Sequence, residues 1–142
     1  MQKRLVAAVL GASLGVAPAS IQAAPLEAWV DLSSQTMTVF VDGRRSYRWP
    51  VSTARPGKVT PTGRYTPEYL SRYHRSSLYN NAPMPYSIFF HGNYAIHGTD
   101  QIRRLGTPAS AGCIRLHPDN AKVLWGLLKE VGKDNMEVVI QK

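Results

Sequence analysis

The stretch YSIFFHGNYAIH, residues 86–97, decides the fold class. Two apolar, aromatic-rich runs flank Gly92-Asn93, a dipeptide suited to reversing the chain in two residues. Tyr86 to His91 and Tyr94 to His97 therefore read as the arms of a β-hairpin. On a two-residue turn His91 faces Tyr94 and His97 faces Ile88, which predicts that the two histidines lie on opposite faces of the sheet. Upstream, Glu27 to Leu32, Thr36 to Val41 and Arg44 to Val51 read as strands, the last two joined at Asp42-Gly43. Ser52 to Gly63 is broken by Pro56-Gly57 and Pro61-Thr62-Gly63 and reads as loop. Arg64 to Leu70 reads as another strand, and Ser71 to Pro85, polar and aromatic, as a long surface loop.

Downstream of the hairpin, Gly98 to Gly112 reads as irregular and Cys113 to Leu116 as a short strand. A helix is expected from Pro118: proline suits the first helical position, Asp119 the first turn and Gly132 the stop. Ala121, Leu124, Trp125 and Leu128 recur at helical spacing, so one face of that helix belongs to the core. Met136 to Ile140 reads as a last strand. The pattern predicts a mainly β or α+β domain, a β-rich sandwich or barrel-like fold with one main helix. The strand-helix alternation of a doubly wound sheet is missing.

A length of 142 residues suits one domain. Lys3 and Arg4 precede an apolar run from Leu5 to Ala19, and small residues follow at Ala23-Ala24. That order predicts a signal peptide over residues 1–24 and a folded domain over 25–142. Gly11, Gly15 and Pro18 interrupt the run, so it makes a poor membrane span, and none is expected after cleavage. Loss of Lys3 and Arg4 lowers the net charge from +8 to +6. This basic excess suits an anionic cell envelope. Without a dense Lys/Arg run, nucleic acid is a poor partner. The expectation is an exported monomer of the periplasm or cell envelope.

One cysteine excludes an internal disulfide, and a free thiol is a liability in an oxidising compartment. Cys113 is then either a small buried hydrophobe, a redox-sensing thiol or a nucleophile. His97 closes one strand, and Cys113 follows sixteen residues later behind Gly112. A thiol attacks as thiolate, and an imidazole can take its proton. Gly112 lets the chain turn tightly, so that N–H groups near Cys113 can converge on an oxyanion. Arg115, on the same strand face as Cys113, can grip a carboxylate with its fork of donors.

These residues carry a resemblance. His97-Gly98-Thr99 followed by Ser110-Ala111-Gly112-Cys113-Ile114-Arg115-Leu116 is similar to the YkuD-type L,D-transpeptidases. The likeness extends to Val51-Ser52-Thr53, to Thr60-Pro61-Thr62-Gly63, to residues 88–97 and to Asp119 through Leu124. It implies a β-rich catalytic fold and a cysteine nucleophile acting on peptidoglycan peptide stems, without metal or other cofactor. The bond attacked would join diaminopimelate to D-Ala in a tetrapeptide, and a thioester acyl-enzyme would follow. A stem amine, water or a lipoprotein lysine would resolve it, giving a cross-link, carboxypeptidase action or anchoring. Cys113 takes the nucleophile's place and His97 the base's, with the Gly98 carbonyl orienting the imidazole. Ser110, Ala111 and Gly112 form the loop around the nucleophile and the oxyanion site, and Arg115, Thr99 and Tyr86 fall to substrate binding. The family usually has His directly before Gly-Cys, where this chain has Ala111. That departure leaves a non-catalytic stem-binding relative as the alternative.

Other residues have plainer readings. His74, His91, His97 and Cys113 could supply zinc ligands, but no His-x-x-x-His or Cys-x-x-Cys pair occurs. His117 precedes the helix proline as a cap or surface group. Tyr65, Tyr69, Tyr73, Tyr79 and Tyr86 cluster about the expected long loop as packing residues or as the wall of a groove, and Arg103 and Arg104 read as solvated. The catalytic reading requires the Cys113 sulfur within about 4 Å of the His97 ring, and the other ring nitrogen against a backbone carbonyl.

Overall fold

The structure, a computed structural model, describes residues 8–16 and 23–142. The expected leader, residues 1–24, lies partly outside the described residues. Among the described residues, no helix is long and apolar enough to cross a membrane.

The described residues form two sheets and one long helix, an α+β arrangement. Strands β1 (Leu26–Asp31), β2 (Thr36–Val41), β3 (Arg44–Pro50), β4 (Gly63–Tyr65) and β9 (Met136–Gln141) make a five-stranded sheet in the order β3-β2-β1-β9-β4. Strands β5 (Tyr69–Arg75), β6 (Pro83–His91), β7 (Tyr94–Gly98) and β8 (Ile114–Leu116) make the second sheet in that order. Two pairings are parallel, β1 with β9 and β7 with β8; the others are antiparallel. Period-2 alternation decides which faces meet. Leu26, Ala28 and Val30 of β1 are fully buried, as are Met37 and Val39 of β2. They share one core with Ile88 and Phe90 of β6, Ile96 of β7, Ile114 and Leu116 of β8, and Val138 and Ile140 of β9.

The helix α1 (Pro118–Val131) packs against β6 and β7. Ala121, Leu124 and Leu128 are its buried stripe, and Trp125 lies half-buried beside them. His117 caps it, its Nδ1 accepting the Asp119 N–H at 3.1 Å. Gly132 ends it with φ 86°, and its N–H donates to the Leu128 carbonyl.

The segment between β3 and β6 departs from expectation. Arg64 to Leu70 is two strands in different sheets, β4 and β5, and the expected loop of residues 71–85 is largely a hairpin. Only residues 76–82 connect it. Tyr69 and Tyr73 pair with Phe89 and Pro85 on β6. An exposed edge strand has no buried face along its length, so its polar composition resembles that of a loop. The hairpin at Gly92-Asn93 forms, but its register shifts between Phe89 and His91, so Ile88 pairs with Ile96 and not with His97. The extra residue interrupts the ladder; His91 still pairs with Tyr94, and both His91 and His97 border one cavity.

Candidate active site

Parallel pairing of β7 and β8 sets His97 opposite Arg115 and Ile96 opposite Ile114. Cys113 immediately precedes β8, and its side chain packs on Met84, Phe89 and Ala95. A cavity of about 790 Å³ opens there, bordered by His97, Thr99, Ser110, Ala111, Cys113 and Arg115. The fold thus brings two remote parts of the sequence to one cleft.

His97 is 6% exposed, and its Nδ1 lies 2.7 Å from the Gly98 carbonyl oxygen. A carbonyl only accepts, so Nδ1 carries the proton and Nε2 holds the lone pair. Burial lowers the pKa of this imidazole from 6.5 to about 4; the Arg115 and His74 charges act in the same direction, and the Gly98 carbonyl opposes them. The ring is therefore neutral at pH 7 and able to take a proton. Burial pushes the Cys113 thiol up, against the Ala95 N–H and the Arg115 charge. At neutral pH Cys113 is therefore a thiol, not a thiolate. It donates to the Asn93 carbonyl at 3.6 Å and is not hydrogen-bonded to the imidazole.

The turn before the thiol is tied internally. Ser110 Oγ donates to the Cys113 carbonyl at 2.6 Å and accepts the Gly112 N–H at 3.0 Å. That N–H is consumed, whereas the Cys113 N–H has no hydrogen-bond partner among the described residues. Gly112 adopts φ 141°, and a Cβ there would lie 2.6 Å from Tyr94 Cε1 and 2.8 Å from the Val59 carbonyl oxygen. Only glycine fits that spot. Thr60 Oγ1 donates to the Gly112 carbonyl at 2.8 Å and accepts the Ala54 N–H at 3.0 Å.

Thr99 borders the cavity, but its Oγ1 accepts the Gln101 N–H at 3.1 Å. Gly98 contributes its carbonyl and its lack of a side chain: a Cβ there would meet Pro85 Cγ at 3.1 Å and Pro118 Cα at 3.2 Å. Tyr86, expected to meet substrate, is not among the residues bordering the cavity. Its backbone has φ 55°, and its ring meets Trp125 edge-on at 5.8 Å on the helix side, with the Arg72 guanidinium 5.7 Å away. Among the described residues, no three His, Cys, Asp or Glu side chains gather as metal ligands would. Sequence reasoning passed over Arg55, Asn93 and Gln101, which also border the cavity. They sit in polar loops where nothing in the local pattern separates a cavity residue from a solvated one.

The profile of the YkuD family, the L,D-transpeptidase catalytic domain, matches residues 25–140. The chain belongs to this family. YkuD of Bacillus subtilis is 27% identical over 97 residues, covering 66% of this chain and 54% of that protein. An L,D-transpeptidase (Yku) of Stackebrandtia nassauensis superposes with a TM-score of 0.72 at 26% identity, over 90% of this chain and 62% of that one. L,D-transpeptidase 3 of Mycobacterium tuberculosis, solved with a faropenem-derived adduct, superposes with a TM-score of 0.71 at 20% identity, over 84% of this chain and 61% of that one. This YkuD domain thus spans a little over half the length of these relatives. The likeness extends through both sheets and the helix.

Proposed function

We propose that this domain is an exported acyltransferase that processes peptidoglycan peptide stems through a thioester on Cys113. The observation that carries this reading is the shared cavity: a buried neutral imidazole, its Nε2 without a hydrogen bond among the described residues, borders the same cleft as the chain's one thiol. Rotation of the Cys113 side chain away from Asn93 hands its proton to His97 Nε2. The sulfur attacks the diaminopimelate carbonyl carbon, and the Cys113 N–H receives the oxyanion. The C–N bond breaks, D-Ala takes the proton back from the imidazolium, and the acyl group stays on sulfur. An amine of a second stem then attacks the thioester, loses its proton to His97 and releases the thiol. Water in that place gives a carboxypeptidase.

Arg115 holds a substrate carboxylate, and the Gly98 carbonyl keeps the imidazole in the working tautomer. Ala111 removes a motif imidazole without touching nucleophile, base or the free N–H, so the chemistry stands and the acceptor is the variable. Residues 1–24 serve as the export leader that brings the domain to its substrate in the periplasm or envelope.

The test uses purified domain with tetrapeptide muropeptides and mass spectrometry of the products. D-Ala release by wild type and none by Cys113→Ala supports the mechanism. Equal behaviour of the two proteins overturns it, and stem binding without release assigns the domain to a binding role. A faropenem-type β-lactam imitates the acyl donor, so it should add its mass to wild type and leave Cys113→Ala unmodified.

A further inference from the structure

We propose that Arg55 is a specificity determinant that holds a second carboxylate of the donor stem, beside the terminal one held by Arg115. This rests on the stem-processing reading above. Arg55 lies in the loop between β3 and β4, and that loop is bolted to the nucleophile's turn. The Arg55 N–H donates to the Ser110 carbonyl at 2.9 Å, and the Ser110 N–H donates back to Thr53 at 2.9 Å. Three residues earlier, Ser52 and Arg115 exchange two backbone hydrogen bonds at 3.1 and 2.9 Å. Arg55 and Arg115 are therefore fixed to one rim, and both border the cavity that holds Cys113.

Among the described residues, neither guanidinium has a counter-ion. The ion pairs among the described residues are Arg64–Glu137, His117–Asp119 and Lys133–Asp134. The side-chain partner of Arg115 is neutral, Gln101 Oε1 at 3.3 Å. Asp100 borders the same cavity without pairing to either arginine. Burial, together with the Arg55 and Arg104 charges, lowers the pKa of Arg115, against the pull of Cys113 and Asp100. A half-buried cation among like charges is unfavourable until an anion arrives. A tetrapeptide stem brings more than one: the D-Ala terminus, the diaminopimelate side chain and the free carboxylate of the γ-linked glutamate. Two guanidinium forks facing one cleft match two carboxylates, one of them the terminal group that Arg115 takes.

Calorimetry on the Cys113→Ala protein tests this without turnover. Three tetrapeptides are compared: all free acids, amidated at the diaminopimelate side chain, and amidated at the glutamate. One of the two amides should bind about 10- to 100-fold more weakly than the free acid, which names the carboxylate held. Adding Arg55→Gln should weaken the free acid to the level of that amide and abolish the discrimination, and Arg55→Lys should restore part of it. Arg55 is exposed, so these variants should keep the parent's melting temperature. Equal binding of all three peptides, discrimination that survives Arg55→Gln, or no binding of any peptide overturns the proposal. Discrimination by Arg55 alongside a wild type that releases no D-Ala overturns the transfer reading alone.

Discussion

Burial of His97 makes folding compete with protonation, and the size of that competition can be measured. In the unfolded chain the imidazole titrates at 6.5; in the fold its pKa is about 4. Between those values the unfolded chain binds a proton that the folded chain refuses. Stability therefore rises with pH across this window, by about 1.4 kcal/mol per pH unit where the difference is full. The contribution is fully present above pH 6.5 and is lost as pH falls through 4, some 3 kcal/mol in all. That is a large share of the roughly 5–15 kcal/mol that holds a domain folded. The assay is urea unfolding followed by tryptophan fluorescence at several values between pH 7 and pH 4, on wild type and His97→Asn. Carboxylates titrate in both proteins and cancel in the difference, as does any constant cost of the substitution. The wild-type advantage should shrink by about 3 kcal/mol between pH 7 and pH 4. Parallel stability curves would show that His97 is not held neutral by burial, and its role as a ready base would fall with them.

The same ionisation governs chemistry: with His97 as base, the acid limb of kcat/KM for D-Ala release should fall near pH 4, not near 6.5, and a limb at 6.5 would contradict the buried neutral ring. Gly112→Ala forces a side chain into left-handed backbone and onto the Tyr94 ring, and should cost about 3 kcal/mol in urea unfolding; a loss under about 0.5 kcal/mol would show that the turn relaxes freely. Ser110→Ala removes the hydroxyl that joins the Gly112 N–H to the Cys113 carbonyl, and should cost about 2 kcal/mol while slowing β-lactam acylation of Cys113; unchanged stability and acylation rate would refute the bracing role. Leu124→Ala opens a hole where α1 meets the core and should cost about 3 kcal/mol, with a cost under about 1 kcal/mol arguing against that packing.

The sequence announced the elements whose burial is one-sided. β1 alternates Leu26, Ala28 and Val30 with outward residues, and α1 repeats Ala121, Leu124 and Leu128, so period alone places them. β5 was hidden because it is an edge strand, exposed or half-buried at every position from Tyr69 to Arg75. The register shift before His91 was hidden too, because inserting one residue into a ladder leaves no trace in composition. At the site, the meeting of Cys113 and His97 at one cavity and the Gly98 carbonyl on the imidazole were legible through the family resemblance and the strand-loop junctions. The consumption of the Gly112 N–H by Ser110 was not, since it depends on where one hydroxyl points. The placement of the Tyr86 ring on the helix side was hidden as well, because its left-handed backbone takes it out of the alternation that a strand residue normally obeys.

The place of β9 has a consequence for how the molecule comes together. It lies inside the five-stranded sheet, parallel to β1 on one side and antiparallel to β4 on the other. Leu26 meets Met136, roughly 110 residues further along, so a contact at the middle of the sheet requires closure of a loop as long as the domain. Removing β9 would leave a gap with two raw edges, not a shorter sheet. Completion of this sheet should therefore be late and slow, because its central β1–β9 pairing waits on the two ends of the domain.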